Sequence, residues 1–150
     1  MSFEEKFTWV SAAVQALVAG FYSAFVVGQL RSLPVAQIAY QKPLLIAIGA
    51  TIVMTIAGTI LMSIGTAVSV QIAGKGSVDD IDRKDERDVA IDRRGELFGH
   101  YVSSVGALGA LALGMLRFDQ FWITNALFLS FSLGSLAAAA AKLVAYRRGY

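Results

Sequence analysis

Asp92, Glu96 and His100 recur at i, i+4 and i+8, a spacing that sets all three on one face of a helix. Carboxylates and an imidazole so arranged suit either a divalent metal or a short proton relay. A single straight helix rarely aims more than two such side chains at one ion. Glu96 and His100 would be the pair, and any further ligand would have to come from water or another chain. With one His and no Cys in 150 residues, thiolate and multi-histidine centres are excluded, and neither a bound metal nor a cofactor is expected. Thr51, Thr55, Thr59 and Ser63, each four apart, form a second group. Their hydroxyls can line a water-filled path, or bond their own i−4 carbonyls and let another helix pack closely; packing is the preferred reading. Catalysis has little to stand on. The sequence has no Gly-rich phosphate loop and no Ser/His/Asp arrangement, and its carboxylates are interleaved with bases on a helix read as exposed, poor ground for general acid–base work. The chain is therefore not expected to be an enzyme.

The charges concentrate between Gly74 and Gly95. Ser77-Val78-Asp79-Asp80 has the form of a capping box with Asp in place of Glu, so a helix is expected from about 77 to 96, with Gly95 as a kink before an apolar run. At 100° per residue, Arg83, Arg87 and Arg94 share one sector, with Lys84 beside it. Asp85, Asp92 and Glu96 lie opposite. A helix divided in this way is self-complementary, which suits a homo-oligomer or a membrane or cytoplasmic protein partner. Its basic side also suits anionic lipid headgroups. The plainer alternative is a solvated helix with local pairs such as Asp79–Arg83 and Lys84–Asp88, since surface ion pairs contribute little.

Asp85-Glu86-Arg87, then Ile91, then Arg93-Arg94-Gly95-Glu96 ahead of an apolar helix resembles a family of small predicted prokaryotic membrane proteins. That family shares an Asp-Glu-Arg-x-x-x-Ile signature before a transmembrane segment. The resemblance covers roughly Asp85 to Leu116, under a quarter of the chain. It implies a small prokaryotic membrane protein whose distinctive residues are Asp85, Glu86, Arg87 and Ile91. It carries over no activity.

The elements that position these residues follow from composition. The chain is 56% hydrophobic and 16% charged, against about 25% charged residues in ordinary soluble domains. Four stretches, roughly 7–30, 44–70, 97–116 and 121–141, contain no Lys, Arg, Asp or Glu. Each reaches the ~20 residues needed to cross a hydrocarbon core, and none alternates as a barrel strand would. The expected fold is thus an all-α integral membrane protein, a single domain over residues 1–150. It has four transmembrane helices and a charged cytoplasmic helix leading into the third. The 27-residue second run would extend about 40 Å and must tilt or project. Pro43 suits its first turn. Only Arg117-Phe118-Asp119-Gln120 joins the last two runs, which makes them a hairpin, and residues 31–42 are expected to hold a short surface helix.

Ten basic residues lie on the side of the termini and middle loop, against Arg31, Lys42 and Arg117 on the other. The positive-inside rule then places both termini in the cytoplasm of a prokaryotic cell, in its plasma (inner) membrane. Trp9, Tyr101 and Tyr146 would mark the inner interface, Tyr40 and Trp122 the outer, with Asn125 reaching the outer one. The first run is read as a retained helix, because Glu4 and Glu5 precede it in place of a basic cluster. Small residues recur at helical spacing: Gly20, Ala24, Gly28; Gly106, Ala110, Gly114; Ser130, Gly134, Ala138. A net charge of +2 gives no reason to expect a nucleic-acid partner. The leading functional expectation is a non-enzymatic membrane protein that self-associates or binds a partner through its charged helix. The alternative is a small oligomeric channel or an ion- or proton-coupled transporter.

Overall fold

A computed structural model describes residues 3–73 and 86–148. Within them the chain forms four long helices: α1 (Phe3–Leu30), α2 (Gln41–Ala73), α3 (Glu86–Met115) and α4 (Gln120–Arg148). All four are long and apolar enough to span a membrane. Many large apolar side chains point outward: Phe21 is 75% exposed, Leu61 70% and Val105 71%. Small and polar residues, among them Ser130, Ser132 and Asn125, are buried instead. A soluble protein does not expose so much contiguous apolar surface, whereas helices packed within lipid do.

The expected start of a charged helix near Ser77 lies outside the described residues, as do Arg83, Lys84 and Asp85. From Glu86 onward α3 is continuous, and Gly95 lies within it. The connection, 31–40, is two residues shorter than expected and contains a single 3-10 turn, Val35–Gln37. At the other end of α3 the amide of Phe118 donates to the Leu113 carbonyl and that of Arg117 to the Gly114 carbonyl, both at 3.0 Å. Arg117 adopts a left-handed φ of 59°. This pair of bonds around a left-handed residue is a Schellman stop, here built without glycine. Two residues later Asp119 accepts the Phe121 amide at 2.9 Å through Oδ1, capping α4.

Neighbouring helices are antiparallel, so both termini lie at one end. The extensive contact is α3 on α4, with α4 also against α1 and α1 against α2. The α3–α4 seam is made of small residues. A Cβ on Gly99 would stand 2.5 Å from the Gly134 carbonyl oxygen, and one on Gly106 would collide with Ser130. Ala110 is almost completely buried. The expected small-residue contacts are thus found in α3 and α4. In α1, Gly20 and Gly28 face open space.

The end opposite the termini holds an aromatic core of Tyr22, Val26, Tyr40, Leu44, Phe121 and Phe128. Tyr40 is not an interface anchor. It is buried, edge-on to Phe121 with centroids 5.1 Å apart. Asn125 is likewise buried rather than reaching the interface, because it accepts a hydrogen bond from the Tyr22 hydroxyl at 2.8 Å and donates to the Phe121 carbonyl at 2.8 Å. Burial without those partners would be costly in an apolar surrounding.

Candidate functional site

Near the end that carries the termini, Lys142 of α4 crosses onto α3. Its Nζ lies 2.7 Å from an Asp92 carboxylate oxygen and donates to Glu96 Oε1 at 2.5 Å. The crossing depends on Gly95, where a Cβ would collide with Lys142 Cγ and stand 2.9 Å from its Cε. A glycine that reads in the sequence as a kink thus serves as a saddle for an aliphatic stem. The Lys142 side chain is 13% exposed, whereas those of Asp92 and Glu96 are 44% and 66% exposed. Two carboxylates on one ammonium leave the cluster with a formal charge of −1.

Beside this cluster lies a cavity of about 510 Å³ lined by all four helices. Glu96 and Lys142 stand at its charged end, His100 and Ser103 continue it along α3, and Gln15, Thr51 and Thr55 lie farther in. From Phe7 to Gln15 its α1 wall spans about 12 Å of helical rise. The cavity occupies the gap between α2 and α3, which make no extensive contact with each other. Ser11 also lines it, and the buried Ser11 Oγ has no hydrogen-bond partner. At the same end Arg147 sits 5.9 Å from the centroid of the Trp9 ring, tying α4 to α1.

The sequence-derived residues separate into three groups. Asp92, Glu96 and His100 do share a region, but the two carboxylates converge on Lys142 rather than on His100. Among the described residues no three His, Asp or Glu side chains form a metal-ligand group. The hydroxyl stripe divides. Thr51 and Thr55 line the cavity, while Thr59 and Ser63 donate to the Thr55 and Thr59 carbonyls at 2.7 and 2.9 Å. Thr51 also donates to its i−4 carbonyl, that of Ala47, at 3.0 Å, which leaves its oxygen as an acceptor toward the cavity. At the start of α3, Glu86, Arg87 and Arg94 are exposed and Ile91 is buried, while Arg83 and Asp85 lie outside the described residues.

Lys142 is the residue that sequence reasoning missed as a site component, having counted only as a topogenic charge. Its position at the end of an apolar run set it apart, but its partners on α3 are not legible in the local sequence. Tyr22 was missed as well, because a single Tyr in an apolar stretch gives no hint of a partner 103 residues away. No family model, curated protein or solved structure matches the chain.

Proposed function

We propose that this chain is a small multi-pass protein of a prokaryotic plasma membrane, with both termini cytoplasmic, which conducts or carries a small cation or proton by way of the cavity between its helices. It does so without catalysing a reaction and without a cofactor. The observation that carries this reading is the net-negative Asp92–Lys142–Glu96 cluster at the charged end of a hydroxyl-lined cavity. Acidic groups at a restricted polar entrance favour cations, and ionisable residues within spans commonly mark ion or proton paths. The unpartnered Ser11 Oγ and the Thr51 oxygen supply acceptors farther in. The packing reading of the hydroxyl stripe then keeps Thr59 and Ser63, while Thr51 and Thr55 pass to the path.

Purified chain in liposomes, assayed for proton, sodium and potassium flux, tests this. Flux above that of empty liposomes is expected, lowered at least fivefold by Glu96→Gln in protein that still folds. No flux of any of the three ions would overturn the reading.

One observation favours the interaction reading beside it: Glu86, Arg87 and Arg93 stand exposed at the start of α3. Self-association or partner binding there would draw on those residues. Asp92 and Glu96 are already engaged by Lys142 of the same chain. Cysteine cross-linking at Val89 in membranes distinguishes the two, since only the interaction reading expects a cross-linked species that Arg87→Glu removes.

A further inference from the structure

The cavity reading uses one side of α3 and leaves its basic side unexplained. Arg87 and Arg94 are seven residues apart, two helical turns, and lie about 180° around α3 from Asp92 and Glu96. Between α3 and α4 they border a groove of about 430 Å³, lined by Ala90, Ile91, Gly95, Ala141 and Ala145. The two edges of the same helix crossing therefore differ in chemistry. One carries an ammonium between carboxylates, and the other carries two guanidiniums over alanines.

We infer that this groove is a binding site for an anionic phospholipid, its phosphate held by Arg87 and Arg94 and an acyl chain laid on the alanine floor. Guanidinium groups bind phosphate oxygens in forked pairs, and basic pockets between helices at the cytoplasmic boundary are where lipid phosphates are held. Arg94 has a contact of its own within the chain, and the five N–H donors of a guanidinium leave others for a phosphate. The floor decides between a lipid and an acidic protein segment. Ala90, Ile91, Ala141 and Ala145 offer no side-chain hydrogen bond, so a peptide lying there would bury amides without partners, whereas an acyl chain has none to satisfy. Beyond the groove the exposed side chains of Phe98 and Tyr101, one and two turns past Arg94 on α3, continue an apolar surface in the direction a lipid tail must take.

This inference rests on the membrane reading and its cytoplasmic orientation, but not on the cation path. The full chain in neutral detergent, titrated with phosphatidylglycerol or phosphatidylcholine and followed by native mass spectrometry, tests it. Phosphatidylglycerol is expected to be retained in preference to phosphatidylcholine. The double variant Arg87→Gln/Arg94→Gln should weaken that retention about 30-fold, the scale set by two near-surface basic residues. Arg93→Gln/Arg148→Gln removes the same charge from exposed positions outside the groove and should change retention less than threefold. Ala141→Phe fills the floor with both arginines intact and should also abolish the preference. Ala145→Phe takes its place if Ala141→Phe loses helix content by circular dichroism.

Equal loss in the Arg93/Arg148 variant would show a generic basic surface and overturn the site. So would full retention in the groove-filling variant, or displacement of the lipid by inorganic phosphate or by a glutamate-rich peptide. Failure of the membrane reading has a separate signature, because the chain would then be recovered in the soluble fraction before any lipid is added.

Discussion

The two hairpins of this molecule are built on different principles. Along α3–α4, glycine and serine meet backbone at Gly99, Gly106 and Gly134, and at none of the three does a Cβ fit without movement of the facing helix. Along α1–α2, a Cβ on Gly20, Gly28, Gly49 or Gly65 would meet nothing, and only Gly58 is approached, by Val10. Lipid chains are as apolar as the helices they surround, so close van der Waals packing and hydrogen bonds must hold helices together. The last two helices have the first of these along their whole length. The first two meet less closely, and α1 is anchored instead to α4, through Tyr22 on Asn125 and Phe128. A rigid hairpin thus carries the ion cluster, and a looser one provides the remaining cavity wall.

The strongest way to break this contrast is to place a bulky residue in each hairpin. Gly99→Leu should cost about 3 kcal/mol or prevent folding, because overpacking of a closed contact generally costs 1–3 kcal/mol and here backbone is in the way. Gly49→Leu should be within about 0.5 kcal/mol of the parent, as expected at open positions. Reversible unfolding in mixed detergent measures both, and comparable losses would remove the distinction.

A smaller effect is expected at the ion cluster. Lys142→Met leaves Asp92 and Glu96 facing each other and should cost about 1 kcal/mol, given how exposed the two carboxylates are. Adding Glu96→Gln should recover part of that loss, which a double-mutant cycle reads directly. An additive result would mean that Lys142 and Glu96 are not energetically coupled, which leaves Asp92 as the partner of the ammonium. In the looser hairpin, Tyr22→Phe keeps the edge-on contact with Phe128, 4.8 Å between centroids, but loses the bond to Asn125. A loss of about 0.6 kcal/mol is expected, the average for interhelical bonds of this kind. Smallest of all, Ser63→Ala should be near neutral, since that hydroxyl serves only its own helix.

The four helices were legible because the length of an uncharged apolar run is a direct physical requirement of a span. The α3–α4 contact was legible in part, through the recurrence of Gly106, Ala110, Ser130 and Gly134 at helical spacing. What escaped were pairings between distant residues. Asp92 and Glu96 could be placed on one face, but nothing local tells that Lys142, 46 residues beyond Glu96, lies across them. Gly95 could not be read without its partner, since a glycine among charges looks the same as a hinge and as a clearance. Tyr40 was misjudged for a related reason. Aromatic residues near span ends favour the lipid interface, yet here Phe121 offers a buried ring face instead.

The short Schellman-stopped turn at Arg117 also bears on the order in which the molecule is made. Its four-residue link lets α3 and α4 meet with little loop-closure cost, so their seam can form as soon as both have left the ribosome. The hydroxyl of Tyr22 has a different history. Its acceptor belongs to the last helix, 103 residues later, and through most of synthesis that phenol has to be satisfied elsewhere. Truncation before α4 removes that acceptor, and faster proteolysis of the shortened chain than of the full one is the expected outcome.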